Sequence, residues 1–250
     1  MASPPFALLG SGEFEAWTDP VDSWLLDRAT GDGRVLVFPT ASSPEGPDVF
    51  DRWARMGLDH YQRAGRRAEV VPLKDRSGAS DAEVVSMIRG ASVVFFSGGN
   101  PAYLAATLED TPVWNAVLEE LDRGMAYAGC SAGVASLGEA APDSSKRDPT
   151  NEAGGIMRAG LALFPQTYFM PHWDALNTYI PGLRELLRAA VPAGSRMVTI
   201  DERTAMLGDG AEWTVLGAAT VGVVQDGDER SFAPGESFVE DLREATAPRE

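Results

Sequence analysis

Met125-Ala126-Tyr127-Ala128-Gly129-Cys130-Ser131-Ala132-Gly133-Val134-Ala135-Ser136-Leu137 is the stretch on which the reading of this chain turns. Its apolar run, Met125 to Ala128, reads as a buried strand of a parallel sheet, and Ala132 to Leu137 as the start of a helix packed closely on it. Gly129-Cys130-Ser131-Ala132-Gly133 then falls at the strand-to-helix turn. Glycines two before and two after Ser131 remove the side chains that would crowd so sharp a reversal, and the turn lifts the Ser131 hydroxyl above the strand ends. Such a pentapeptide arises by chance in roughly one chain in five of this glycine content. The flanking strand and helix therefore carry the inference.

Outward from this turn, apolar runs recur at Phe6 to Leu9, Val35 to Phe38, Glu69 to Leu73 and Val93 to Phe96, with helical patterns between most of them. That alternation predicts a parallel sheet with helices on both faces. Val49, Trp53 and Met56 space as one apolar helix face, Ser80-Asp81-Ala82-Glu83 reads as a capping box, and Thr111-Pro112 opens a helix that ends at Gly124. Residues 139–155 break the pattern and read as an exposed loop beside the site, a candidate lid. Beyond them come a short run Tyr168 to Met170 and a helix around Gly182 to Ala190. Four close-spaced strands follow, Met197 to Ile200, Ala205 to Leu207, Trp213 to Leu216 and Thr220 to Val224, predicted as antiparallel additions at one end of the sheet. The tail after about Glu240 is expected to fray. The expected fold class is α/β, flavodoxin-like, in a single domain over residues 1–250.

The 250 residues carry 21 basic and 37 acidic side chains, a net charge of −16, which opposes nonspecific binding to nucleic acid or to an anionic membrane. No stretch approaches the ~18 apolar residues of a membrane span, and residues 1–5 lack a basic segment leading into an apolar one. With one cysteine, Cys130, and two histidines, His60 and His172, neither an internal disulfide nor a zinc site is expected. A reduced, cytoplasmic setting suits this composition, and no cofactor is called for. Oligomeric state leaves no signal in the sequence.

A serine hydroxyl needs a base within hydrogen-bond reach, and only two histidines are available. His60 continues an apolar helix face and reads as structural, whereas His172 follows a short strand at the sheet edge where open α/β folds place their catalytic groups. The carboxylates able to orient it are Asp143, Asp148, Asp174, Asp201 and Glu202, with Glu202 favoured by its place after the strand Met197 to Ile200. Ser97-Gly98-Gly99-Asn100 follows another strand, and its glycines allow an amide to face the reaction centre; Gly99 with Ala132 would supply the two N–H donors of an oxyanion hole.

Phe95-Phe96-Ser97-Gly98-Gly99-Asn100, the serine pentapeptide, Pro171-His172-Trp173 and Ile200-Asp201-Glu202-Arg203-Thr204-Ala205 occur in this order. Over roughly residues 6 to 224 the chain resembles the serine peptidases that include aspartyl dipeptidase (peptidase E) and cyanophycinase. The resemblance implies a fold similar to class I glutamine amidotransferases, with Ser131 as nucleophile, His172 as base, Glu202 as orienting acid and Gly99 and Ala132 as the oxyanion hole. It also implies a small peptide substrate contacted by Gly98, Asn100 and Trp173. For the dipeptidase branch an acid shortly after the serine has also been favoured, which keeps Asp143 and Asp148 in view.

Cyanophycinases resemble one another in an arginine-rich run past the histidine, where this chain reads Trp173-Asp174-Ala175-Leu176-Asn177. Specificity for an N-terminal Asp instead requires a cation for the substrate carboxylate, and Arg147, Arg158, Arg184 and Arg203 are the candidates. The leading expectation is a serine-type peptidase acting on small peptides through an acyl-enzyme. The rivals are a binding or regulatory protein on the same fold and a glutamine amidotransferase. The latter needs its cysteine at the centre of the turn, and Cys130 is one residue early, pointing into the sheet. An α/β-hydrolase esterase would need a histidine near the chain's end, and none follows His172.

Overall fold

The computed structural model describes residues 3–145 and 155–245. Strands β1 (Phe6–Leu9), β2 (Arg34–Phe38), β3 (Arg67–Val70), β4 (Val93–Phe96) and β5 (Ala126–Cys130) run parallel in the spatial order β1-β5-β4-β2-β3. Helices α1 (Asp19–Leu26), α2 (Pro47–Arg63), α3 (Ala82–Ile88), α4 (Pro101–Leu108) and α5 (Pro112–Asp122) occupy the connections, and none is long and apolar enough to cross a membrane.

Because side chains alternate across a strand, each strand feeds two cores. Leu8, Phe38, Phe96 and Tyr127 face one side and pack with Val84, Ile88, Val113 and Val117 of α3 and α5. Leu9, Val37, Phe95 and Cys130 face the other and pack with Val21, Leu25 and Tyr61 of α1 and α2. Cys130 therefore points into the second core and the residue after it leaves the sheet.

The second half begins with α6 (Ala132–Ala135), the hairpin of β6 (Ala140–Pro142) and β7 (Met157–Ala159), and β8 (Thr167–Pro171). It continues through α7 (Leu176–Tyr179), α8 (Leu183–Ala190), β9 (Arg196–Ile200), β10 (Thr204–Gly208), β11 (Glu212–Gly217), β12 (Val221–Gln225), β13 (Asp228–Phe232) and β14 (Ser237–Val239). β10, β11 and β14 extend the main sheet beyond β1 by antiparallel pairing. β9 and β12 do not join them; they pair with β8 and β13 in a separate four-stranded sheet. The expectation of four strands at one sheet end is corrected accordingly. Alternation specifies an extended segment with a buried side, not its partner, and here successive strands are dealt to two sheets.

Three local readings also shift. The buried face of α2 runs through Phe50, Ala54, Gly57 and Tyr61, leaving Met56 at the surface. A Cβ at position 57 would stand 2.9 Å from Val37 Cγ1, so the helix makes its closest approach along the glycine rather than along Val49, Trp53 and Met56. α3 is capped by Asp81, whose carboxylate accepts the Glu83 N–H, not by Ser80. The tail through residue 244 is tied down rather than frayed. The buried Arg196 guanidinium donates to the carbonyls of Asp241, Leu242 and Glu244, and Leu242 is itself fully buried.

The turn after β5 leaves no room for a side chain at either of its glycines. A Cβ on Gly133 would lie 2.2 Å from the Phe96 carbonyl oxygen, and one on Gly129 would lie 2.5 Å from the Gly133 carbonyl oxygen. Both obstacles are backbone, which cannot rotate away. Gly133→Ala is accordingly expected to lower the unfolding free energy by about 1–3 kcal/mol, measured as a shift of the urea midpoint at unchanged m-value.

Candidate active site

Ser131 adopts φ 51° and ψ −105°, a conformation costly for a residue with a side chain. Hydrogen bonds hold it from both sides. Its N–H donates to Leu9 O at 3.1 Å, its carbonyl accepts from Val134 and Ala135 at 3.0 and 2.9 Å, and the buried Tyr127 hydroxyl donates to Gly133 O at 2.6 Å. The strain is offset by this frame, and the hydroxyl is left facing out of the sheet.

His172 arrives from the end of β8 and takes φ 56°. Its Nε2 lies 2.8 Å from Ser131 Oγ and its Nδ1 lies 3.2 Å from Glu202 Oε1. An ionised carboxylate can only accept, so Nδ1 carries the hydrogen and Nε2 presents its lone pair to the serine hydroxyl. β8 and β9 are parallel neighbours in register, Pro171 opposite Ile200, so the segments following them leave at one edge and their side chains meet there.

Glu202 is fixed by two further groups. The Tyr179 hydroxyl donates to Oε1, and Asp174 Oδ1 accepts the Glu202 N–H at 2.9 Å. The Tyr179 hydrogen bond, followed by that of His172, holds the Glu202 carboxyl below the usual glutamate range, and the same bond pushes the Tyr179 phenol up to about 12. The other expected acids lie elsewhere. Asp201 is buried and accepts from the Thr220 N–H and hydroxyl at 3.0 and 2.7 Å. Asp143 accepts from Asn100 and Ser145, Asp174 serves the Glu202 backbone, and Asp148, like Arg147, lies outside the described residues.

Gly99 takes φ 143°, and a Cβ there would stand 2.3 Å from the Ala41 carbonyl carbon and oxygen, so only glycine fits between β4 and the turn after β2. Among the described residues neither the Gly99 nor the Ala132 N–H has a protein acceptor, which leaves two amides beside Ser131 available to an oxyanion. Of the expected substrate contacts, none lines the cavity at Ser131. The Gly98 N–H is taken by Glu13 Oε1 at 2.9 Å, and Asn100 caps α4 while donating to Asp143 at 3.0 Å. Trp173 is buried beneath Arg184 and Arg188, whose guanidinium carbons lie 4.5 and 5.7 Å from its ring centroid.

Glu13, which the sequence reading missed, is 5% exposed and bridges the site from below. Its second oxygen accepts the Cys130 thiol at 2.9 Å. Burial, and then the Glu13 carboxylate, push the Cys130 thiol well above its ordinary range, so it is not poised as a nucleophile. The available signal was positional: Gly10-Ser11-Gly12-Glu13 follows β1, the parallel neighbour of β5, at the same carboxyl edge.

Asp19, Asp22 and His60 have ligand atoms close enough for a metal ion. Yet the Asp22 carboxylate already accepts from His60 Nε2 at 2.7 Å and from the Tyr61 hydroxyl at 2.8 Å, the pattern of a hydrogen-bonded core network.

The sequence profile of peptidase family S51 matches residues 6–216. The chain belongs to peptidase family S51. It is 27% identical over 195 residues to a cyanophycinase of Nostoc sp., covering 76% of this chain and 62% of that protein. To a cyanophycinase of Geminocystis herdmanii it is 27% identical over 206 residues, covering 80% and 72%. The chain thus spans 62% of the length of the Nostoc relative. A solved structure of a peptidase from an acI-B1 actinobacterium superposes with a TM-score of 0.86 at 27% identity over 96% of this chain and 98% of that one.

Two outcomes follow. Tyr179→Phe removes the donor that positions the Glu202 carboxylate and holds its pKa down, so the rate of Ser131 phosphonylation by a fluorophosphonate should fall roughly three- to tenfold. Its decline on acidification should also begin at higher pH, since the Glu202 pKa rises toward its ordinary value. Glu13→Ala strips the Gly98 N–H of its acceptor and should cost about 1–3 kcal/mol of stability, read by thermal or urea unfolding.

Proposed function

We propose that this protein is a serine-type peptidase hydrolysing small peptides through an acyl-enzyme, with Ser131, His172 and Glu202 as its triad. The observation that carries the proposal is the continuous chain from Ser131 Oγ through both ring nitrogens of His172 to Glu202 Oε1, at 2.8 and 3.2 Å. Membership of S51 and the likeness to the actinobacterial peptidase support the reaction class.

In this reading the Ser131 oxygen attacks the scissile carbonyl carbon as its proton passes to His172 Nε2. The oxyanion formed accepts from the Gly99 and Ala132 amides, which need no reorganisation because the glycine-dependent turns already hold them. Collapse of the adduct breaks the C–N bond, and the leaving amine takes the proton from His172. A water then enters and gives its proton to the same nitrogen as its oxygen adds to the acyl carbon; collapse of that adduct breaks the ester C–O bond, returns the proton from His172 to Ser131 Oγ and releases the acid. Glu202 stabilises the transient imidazolium and keeps the ring in its reactive tautomer. Tyr179 and Asp174 hold the carboxylate in place as positioning residues.

Ser131→Ala should abolish labelling by a fluorophosphonate and lower dipeptide turnover by at least ~10³-fold, and His172→Ala should do nearly the same, with no further loss in the double variant. Glu202→Gln should retain the fold and lose ~10²–10⁴-fold in kcat. Wild-type protein that neither labels at Ser131 nor cleaves any of a dipeptide panel would mark a binding protein on the same fold.

A further inference from the structure

The cavity that opens at Ser131 encloses about 290 Å³, at the small end of the ~300–1,000 Å³ usual for small-molecule sites. It lies between the end of β8, the 142–144 turn and the α7–α8 pair, with Ser131, His172 and Gly99 in its lining. Its wall is built from Ile156, Phe169, Met170, Leu176, Leu183 and Leu187. Most of that wall belongs to two of the molecule's apolar clusters, the parallel-sheet core and the cluster beneath α8.

The cavity lining includes the Asp143 carboxyl, and among the described residues no lysine or arginine reaches it. The described arginines considered as partners for a substrate carboxylate are engaged elsewhere. Arg184 stacks on Trp173, Arg203 pairs with Glu15 at 2.7 Å, and Arg158 lines a neighbouring cleft that shares only Asp143 with this one.

We propose that this cavity is a specificity pocket for an uncharged, apolar side chain next to the scissile bond, so that the substrates are small peptides carrying Leu, Met or Phe there. The inference rests on the peptidase reading and adds to it the substrate class. A Leu or Phe side chain exchanges water for the apolar wall and gains in proportion to the area covered. An Asp side chain entering the same space loses its hydration and, among the described lining residues, meets no lysine or arginine. An Arg side chain would have to strip its guanidinium against the same wall while Asp143 already accepts from Asn100 and from the Ser145 N–H and hydroxyl.

The test is a dipeptide panel varied at each position in turn (Leu, Met, Phe, Ala, Asp, Arg), alongside inactivation by α-aminoalkyl diphenyl phosphonates bearing Leu-, Phe- or Asp-type side chains. Leu, Met or Phe at one position should exceed Ala by roughly tenfold or more in kcat/KM, and Asp by roughly a hundredfold. The apolar phosphonates should inactivate fastest, with adduct mass on Ser131. Ile180→Arg, at the half-exposed rim of the pocket, should narrow the gap between Leu and Asp peptides without loss of fold. A preference for Asp or Arg, or a flat profile at both positions, overturns the apolar specificity while leaving the peptidase reading intact. Absence of both turnover and Ser131 labelling removes the peptidase reading and the specificity together.

Discussion

The site depends on how closely backbone can approach backbone around Ser131. β5 must turn directly into α6 while α6 lies against the end of β4, and the space left beside Gly129 and Gly133 is smaller than a methyl group. A residue twisted to φ 51° and ψ −105° pays for its strain through the bonds to Leu9, Val134 and Ala135 that the same packing makes possible. The serine hydroxyl is therefore aimed by sterics rather than by its own rotamer preference. Gly99, wedged against Ala41 at the end of β4, applies the same rule to the second amide. The Ser131 turn and the Gly99 turn are thus both shaped by close backbone approach at glycines, with Tyr127 and Glu13 bracing them.

The second sheet brings an imidazole and a carboxylate to the Ser131 hydroxyl from beyond the parallel sheet. Parallel pairing of β8 with β9 puts Pro171 opposite Ile200, so His172 and Glu202 emerge side by side although 30 residues separate them. Both departures are bent: His172 and Arg203 have positive φ, which turns the chain out of the sheet at the point where the functional side chains stand. Tyr179 and Asp174, both from the segment between these strands, then close on Glu202, so the segment that supplies the base also orients the acid.

Legibility followed the range of the interactions. The serine turn was readable because its cause is local, two glycines at fixed offsets. His172 was readable by elimination, there being two histidines and only one at a strand end. The acid was not decided locally because Asp201 and Glu202 are adjacent and both follow β9. What separates them is that Asp201 turns inward to Thr220 while Glu202 turns outward to His172, a division set by the antiparallel partner β12. The face of α2 was misplaced because a glycine gives no hydrophobic signal although it marks the line of closest contact. The parallel sheet was visible as repeated apolar runs, but the allocation of later strands to two sheets was not, since strand patterns do not name partners.

Glu13 shows the limit most clearly. It meets Cys130 across 117 residues of sequence, and only its place after β1 at the carboxyl edge of the sheet points to it. A buried carboxyl is costly unless both oxygens find donors, and here the donors are the Cys130 thiol and the Gly98 N–H. The second of these matters most, because holding the N–H of Gly98 fixes the Ser97–Gly98 peptide plane, one peptide ahead of the plane that carries the Gly99 N–H. The orientation of the Gly99 N–H then follows from φ 143° at a residue packed against Ala41. Cys130, one position before the centre of the turn, thus helps to satisfy the acid that anchors the loop across from Ser131.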